Sequence, residues 1–157
     1  MSYYYLSYHD RDLDFVEDML LPVIEDSGYP ETKTREDIDR FGNPDKAINS
    51  LINRSYGVIL IVSRHSMKSE DVLFEWGYAQ YIDKPIIPIM VESPEVIGPD
   101  GRLKVIYNVH EKLSRLNWHN FSDENHIEWG SLKHTLLSLA VNAKDPVTTV
   151  SMPAYQD

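Results

Sequence analysis

Two unbroken aliphatic runs stand out along the chain, Gly57 to Ser63 (GVILIVS) and Lys84 to Val91 (KPIIPIMV). Continuous rather than alternating apolar positions at this length predict strands covered on both faces. Pro88 cannot donate to a ladder, so it predicts a strand end or a bulge part-way along the second run. Tyr3 to Tyr8 alternate aromatic and small groups, predicting a further strand that the HDRD turn closes. A helix is predicted from near Asp12, where Phe15, Val16, Met19, Leu20, Val23 and Ile24 recur at helical spacing towards a stop at Gly28, with Pro22 as a kink. Residues 30 to 41 are polar and alternate only weakly from Glu31 to Arg35, the pattern of a short edge strand followed by a loop. Ala47, Ile48, Leu51 and Ile52 predict a second amphipathic helix ending near Arg54 or Ser55, with Pro44 in its first turn. Ser69 to about Ile82 reads as a helix between the two aliphatic strands. Beyond Val91 the pattern predicts a turn at Gly98-Pro99-Asp100-Gly101, a helix over Leu103 to Leu113, an edge strand within Leu116 to Phe121, and a closing helix over His126 to Val141. Residues 143–157 lack periodicity and are expected to form a loose tail behind one domain spanning 1–142.

Two buried strands joined through one helix form a right-handed parallel crossover. With the strand–helix pairs before them, they predict an α/β fold: an open, doubly wound, flavodoxin-like parallel sheet of about five strands with helices on both faces. The 157 residues suit one domain, and 42% apolar with 25% charged residues is a globular composition. A formal charge of -10 repels phosphate backbones and anionic lipid. No basic patch opposes it, since Lys33, Arg35, Arg40 and Lys46 are interleaved with Glu36, Asp37, Asp39 and Asp45. Neither nucleic acid nor a membrane is therefore an expected partner, whereas a small anionic ligand remains open. The chain has no cysteine, which excludes disulfides, thiolate zinc sites and thiol nucleophiles. It shows neither a basic leader with an apolar run nor a stretch of roughly 20 apolar residues, so a cytoplasmic protein is expected.

The candidate chemistry concentrates in residues 63–80. Val72, Trp76, Ala79 and Ile82 form one helical stripe, and Glu75 lies three residues after Val72 and four before Ala79, on the same inward face. An inward carboxylate is costly without partners. Either it serves a site beyond the carboxyl ends of the strands, where open α/β sheets bind ligands, or it sits at the stripe's edge and simply reaches solvent or pairs with a nearby arginine or backbone donor.

Tyr4-Tyr5-Leu6-Ser7-Tyr8, the Asp37 to Ser55 segment with its Asp, Gly and Ile-x-x-x-Ile run, Val58 to Ser63, Phe74-Glu75-Trp76 and Lys84-Pro85-Ile86-Ile87-Pro88-Ile89 occur in the order and spacing of one family. Over roughly residues 3 to 140 the chain resembles Toll/interleukin-1 receptor (TIR) domains of bacterial type. The resemblance implies an enzyme that cleaves NAD at the nicotinamide–ribose bond, releasing nicotinamide with ADP-ribose or a cyclised isomer, in immune or anti-phage signalling. It places Glu75 as the catalytic residue, with Tyr8, His9, Asp37, Arg40, Phe41, Gly42 and Ser63 at the pocket. It implies NAD as substrate with no other cofactor and no metal, self-association through residues 36–44, and a separate effector protein that responds to the product. Asp71 departs from the family pattern: many NAD-cleaving members have tryptophan there, and Asp71 adds negative charge beside an anionic substrate. Each pocket position also has a plain reading, Tyr8 as a strand-end aromatic, Arg40 as a surface charge, Phe41 as a loop anchor and Ser63 as a cap.

Two other functions stay open. One is a non-catalytic TIR interaction module. The other is a nucleoside deoxyribosyltransferase-like enzyme, which Phe74-Glu75-Trp76-Gly77-Tyr78-Ala79 also resembles and in which Glu75 would be the nucleophile. No phosphate loop, dinucleotide glycine fingerprint or nucleophile elbow is present, and His110, His119 and His126 lack a metal-binding spacing.

Overall fold

The computed structural model of the chain describes residues 3–26, 31–38, 42–122 and 128–142. Strands β1 (Tyr3–Ser7), β2 (Glu31–Lys33), β3 (Val58–Val62), β4 (Ile86–Met90) and β7 (His119–Asn120) form a parallel sheet in the order β2-β1-β3-β4-β7. The chain winds outward from β1 to β2, then returns to add β3, β4 and β7 on the other side. That reversal leaves a switch point between β1 and β3.

Period-two alternation divides the strands between two cores. Tyr4, Leu6, Ile59, Ile61, Ile87 and Ile89 face the helices built from α1 (Leu13–Phe15), α2 (Leu21–Asp26) and α6 (Trp129–Asn142), meeting Val16, Leu20, Ile24, Leu132 and Leu136. Tyr5, Val58, Leu60 and Val62 face α3 (Pro44–Asn53) and α4 (Glu70–Tyr81), meeting Ile48, Ile52, Val72, Trp76 and Ala79. All five residues of β3 are fully buried, as its unbroken aliphatic run predicts. Local chemistry sets the helix starts. Asn43 accepts from the amides of Asp45 and Lys46 ahead of Pro44, and Ser69 accepts from Val72 N.

Three local features differ from or refine the sequence expectations. Between α1 and α2 the helix widens into a π turn at Val16–Leu20. Pro22 follows two residues after Leu20, and its missing N–H and its ring both disfavour regular α-helical bonding there. Pro88 neither ends nor bulges β4, whose register with β3 runs unbroken from Val58↔Ile86 to Val62↔Met90. Val91 N donates to Val62 O on β3; by alternation, position 88 points its nitrogen towards β7, which pairs only from Ile89 onward. No ladder bond is lost.

The predicted helix over Leu103 to Leu113 is not formed. Instead β5 (Glu95–Ile97) and β6 (Leu103–Val105) make an antiparallel hairpin across the Gly98 to Gly101 turn, and only α5 (Glu111–Ser114) is helical. Gly101 sits at φ 77, where a side chain would be strained. The predicted tail, 143–157, lies outside the described residues.

Candidate functional site

Glu75 lies in the second turn of α4, facing β1, and is completely buried. Its partners follow from the topology. Period two puts Tyr5 and Ser7 on the face of β1 that α4 covers, and both hydroxyls donate to Glu75: Ser7 Oγ to Oε1 at 2.7 Å and the Tyr5 hydroxyl to Oε2. The third partner arrives from the sheet edge. Tyr5 pairs with Lys33 in register, so two further residues bring Arg35 level with Ser7. Arg35 Nη2 donates to Oε1 at 2.7 Å and Nε to Oε2 at 3.1 Å, while Nη2 also reaches the Tyr8 carbonyl at 3.0 Å.

A capping box holds the turn that carries Arg35: Thr34 N donates to Asp37 Oδ2 at 2.8 Å, and Glu36 N donates to the Thr34 hydroxyl at 3.1 Å. Burial alone would lower the Arg35 pKa, but the hydrogen bonds and charge of Glu75 overcome it and hold the guanidinium above its ordinary value. Burial, then the Glu75 charge and hydrogen bond, push the Tyr5 phenol up, so it stays a donor. Removing an arginine and a carboxylate from water costs several kcal/mol per ion before their attraction is counted. Glu75 nevertheless sits at the switch point of the sheet with both oxygens engaged.

A second polar cluster occupies the carboxyl ends of β1 and β3. Ser63 Oγ is buried, accepts from Ser66 N at 3.1 Å and His65 N at 3.2 Å, and donates to Asp12 Oδ2 at 2.5 Å. Burial raises the Asp12 pKa, opposed by the Ser63 hydrogen bond and by His65 and His9. His9 caps the first helical turn by accepting from Arg11 N and stacks on His65 with ring centroids 5.7 Å apart.

The residues named from sequence therefore fall into separate places. Glu75 is the centre of a buried network, and Tyr8 touches it through its backbone carbonyl. Asp37 stabilises the Arg35 turn without touching Glu75. Ser63 and His9 belong to the neighbouring cluster, and Gly42 is exposed with open space around it. Asp71, exposed one helical turn before Glu75, acts on Tyr5 and Arg35 through its charge. Arg40 and Phe41 lie outside the described residues, as does His126. His110 caps α5, whereas His119 is buried on β7 with Nδ1 at 3.2 Å from Ser131 Oγ, so these two do not form a common site. Tyr5, Ser7 and Arg35 are the partners sequence reasoning missed. For Tyr5 and Ser7 a signal existed in the alternation of β1; Arg35 depended on which strand flanks β1.

A cavity of about 700 Å³ lies elsewhere, lined by Leu73, Trp76 and Tyr81 of α4 with Lys84, His110 and Lys112, and it includes none of the Glu75 network. Size does not make it the better candidate. Its half-buried cation, Lys84, already donates to the carbonyls of Asn53 and Ser55 at 2.9 Å each.

The sequence model of the TIR domain family matches residues 5–136. Among solved structures, the TIR domain of the Toll-related receptor TRR-2 from Hydra magnipapillata is similar, with a TM-score of 0.64 and 18% sequence identity over 85% of this chain and 97% of that one. At that identity the likeness concerns the fold. No curated protein matches. Among the described residues, no helix is long and apolar enough to cross a membrane.

Proposed function

The chain belongs to the TIR-domain family, and on that premise we propose that it is an NAD-consuming enzyme that cleaves the nicotinamide–ribose bond with Glu75 as its catalytic carboxylate. The observation that carries this reading is a fully buried glutamate at the switch point of a doubly wound sheet, aimed by two hydroxyls of a central strand. Nicotinamide leaves from a cationic pyridinium as a neutral molecule and needs no acid. What remains is positive charge spreading over the ribose carbon and ring oxygen. A carboxylate hydrogen-bonded to ribose hydroxyls gains strength as that charge develops, which lowers the barrier. Water then captures the cation, losing a proton to solvent, to give ADP-ribose, or a nucleophilic atom of the adenine closes a ring.

NAD is the substrate in this reading, without a further cofactor or metal. Self-association through residues 36–44 completes the site, and a separate effector reads the product in immune or anti-phage signalling within the cytoplasm. The test is nicotinamide release from NAD by concentrated protein with a crowding agent, products identified by mass, for wild type beside Glu75→Gln. Release by wild type alone supports the reading. Equal release by both overturns it.

One observation favours a second reading. Among the described residues, four donors already occupy Glu75, as a structural ion pair in a non-catalytic interaction module would require. In that case assembly proceeds with no loss of NAD, and Glu75→Gln changes stability alone.

A further inference from the structure

A carboxylate offers about four acceptor positions on its two oxygens. At Glu75 they are filled: Ser7 Oγ and Arg35 Nη2 on Oε1, the Tyr5 hydroxyl and Arg35 Nε on Oε2. A ribose presents two adjacent hydroxyls, and neither finds an open place.

The four donors are not equally fixed. Tyr5 and Ser7 are buried on β1, whose backbone the sheet pairing holds in place. Arg35 comes from a three-residue turn beyond edge strand β2, and its side chain is 20% exposed where that of Glu75 is 1%. Among the described residues its other hydrogen bond is to the Tyr8 carbonyl. Arg35 is therefore the donor that must yield. The place it would go is marked by Asp71, one helical turn nearer the start of α4, exposed, and on the same stripe as Glu75. Its charge already acts on the Arg35 guanidinium.

We propose that Arg35 is a built-in competitor for the sugar, its Nε–H and Nη2–H holding the places where two vicinal ribose hydroxyls donate, and that NAD binds when the guanidinium shifts from Glu75 to Asp71. The proposal rests on the NAD-cleaving reading of the site. It makes Arg35 a positioning residue that sets apparent affinity, because a ligand that must select a minor open state binds more weakly by the fraction open. It also gives Asp71 a role: it holds the open position.

The test combines two readouts on the full chain. Steady-state NAD cleavage is measured for wild type, Arg35→Gln, Asp71→Asn and the double variant. In parallel, the rate at which a water-soluble carbodiimide with a small amine modifies Glu75 is read by peptide mass. Arg35→Gln should lower KM about tenfold and expose Glu75 to modification. Asp71→Asn, a surface change that leaves folding intact, should raise KM about threefold and slow modification, and should have no effect in the Arg35→Gln background. If NAD is cleaved but Arg35→Gln leaves KM unchanged and only lowers kcat, with Glu75 modified no faster, Arg35 merely supports the carboxylate and the competitor is overturned while the NAD reading stands. If no variant cleaves NAD yet modification follows the expected order, the NAD reading falls, and with it the sugar as the displaced ligand, while the exchange of Arg35 between Glu75 and Asp71 stands. Should Arg35→Gln fail to fold, an unchanged KM and modification rate in Asp71→Asn is sufficient to overturn the proposal.

Discussion

Arg35–Glu75 and Arg64–Glu92 are the same chemical pair at the same separation, 2.7 Å, in two regions of one molecule. The first has side-chain exposures of 20% and 1%, the second 49% and 30%. The first joins a buried carboxylate of α4 to an arginine from the sheet edge, with two further donors from central strand β1. The second joins the loop after β3 to the loop after β4 at the surface, where Arg64 Nε and N also bond the Glu92 carboxylate at 2.8 and 2.9 Å. Distance does not separate them. Burial does: water competes for every bond of the surface pair, whereas the inner pair has lost its water and depends on every partner it retains.

The largest effect on breaking this comparison is expected from Glu75→Ala, which strands Arg35, Tyr5 and Ser7 without their acceptor. Removing one partner of a buried pair costs about 3–5 kcal/mol, read as a lower urea midpoint at unchanged slope. Next comes Ser63→Ala, which removes the hydroxyl donor from half-buried Asp12 and two acceptor contacts from the following turn. A loss of about 1–3 kcal/mol is expected, smaller because Asp12 retains access to water.

His119 sharpens the comparison by showing burial without an ion partner. Burial lowers its pKa below 6.5, opposed by Glu128, and among the described residues its Nε2 has no hydrogen-bond partner. The unfolded chain therefore takes up the proton first as pH falls. Its contribution is present above 6.5 and is lost as pH falls from 6.5 through the lowered value. His119→Gln should flatten that limb of a stability-against-pH curve; an unchanged limb would assign it to other groups. Smallest of all is Arg64→Gln, whose effect should be slight at low ionic strength and vanish in 1 M NaCl, where screening extends only about 3 Å. A double-mutant cycle on Arg35 and Glu75 should keep its coupling in the same salt.

Much of this was legible in the chain. The runs at 58–62 and 86–90 read as doubly covered strands because burial on both faces leaves no polar position. The place of Glu75 on the inner face of α4 followed from its spacing to Val72 and Ala79. That the carboxylate would meet Arg35 was not legible, because Arg35 is 40 residues away and reaches Glu75 only through the pairing of β2 with β1. That pairing is a tertiary choice that three weakly patterned residues do not announce. The β5–β6 hairpin was misread for a different reason. Ile97 is 75% exposed, Leu103 63% and Val105 54%, so its apolar residues carry no inside–outside alternation to distinguish it from a helix. Asp71 was legible as a departure, but its relation to Arg35 required the fold.

The central question is whether the Glu75 network is kept for chemistry or for stability. The most direct measurement replaces it whole, with Tyr5→Phe, Ser7→Ala, Arg35→Met and Glu75→Met together, and follows both urea unfolding and nicotinamide release from NAD. The expected result is a fold within about 2 kcal/mol of wild type, since apolar groups of similar shape often substitute for buried ion networks without loss, together with complete loss of an activity that wild type displays. The contrary result is a protein as destabilised as Glu75→Ala beside a wild type that releases no nicotinamide, which would make the network a structural clasp.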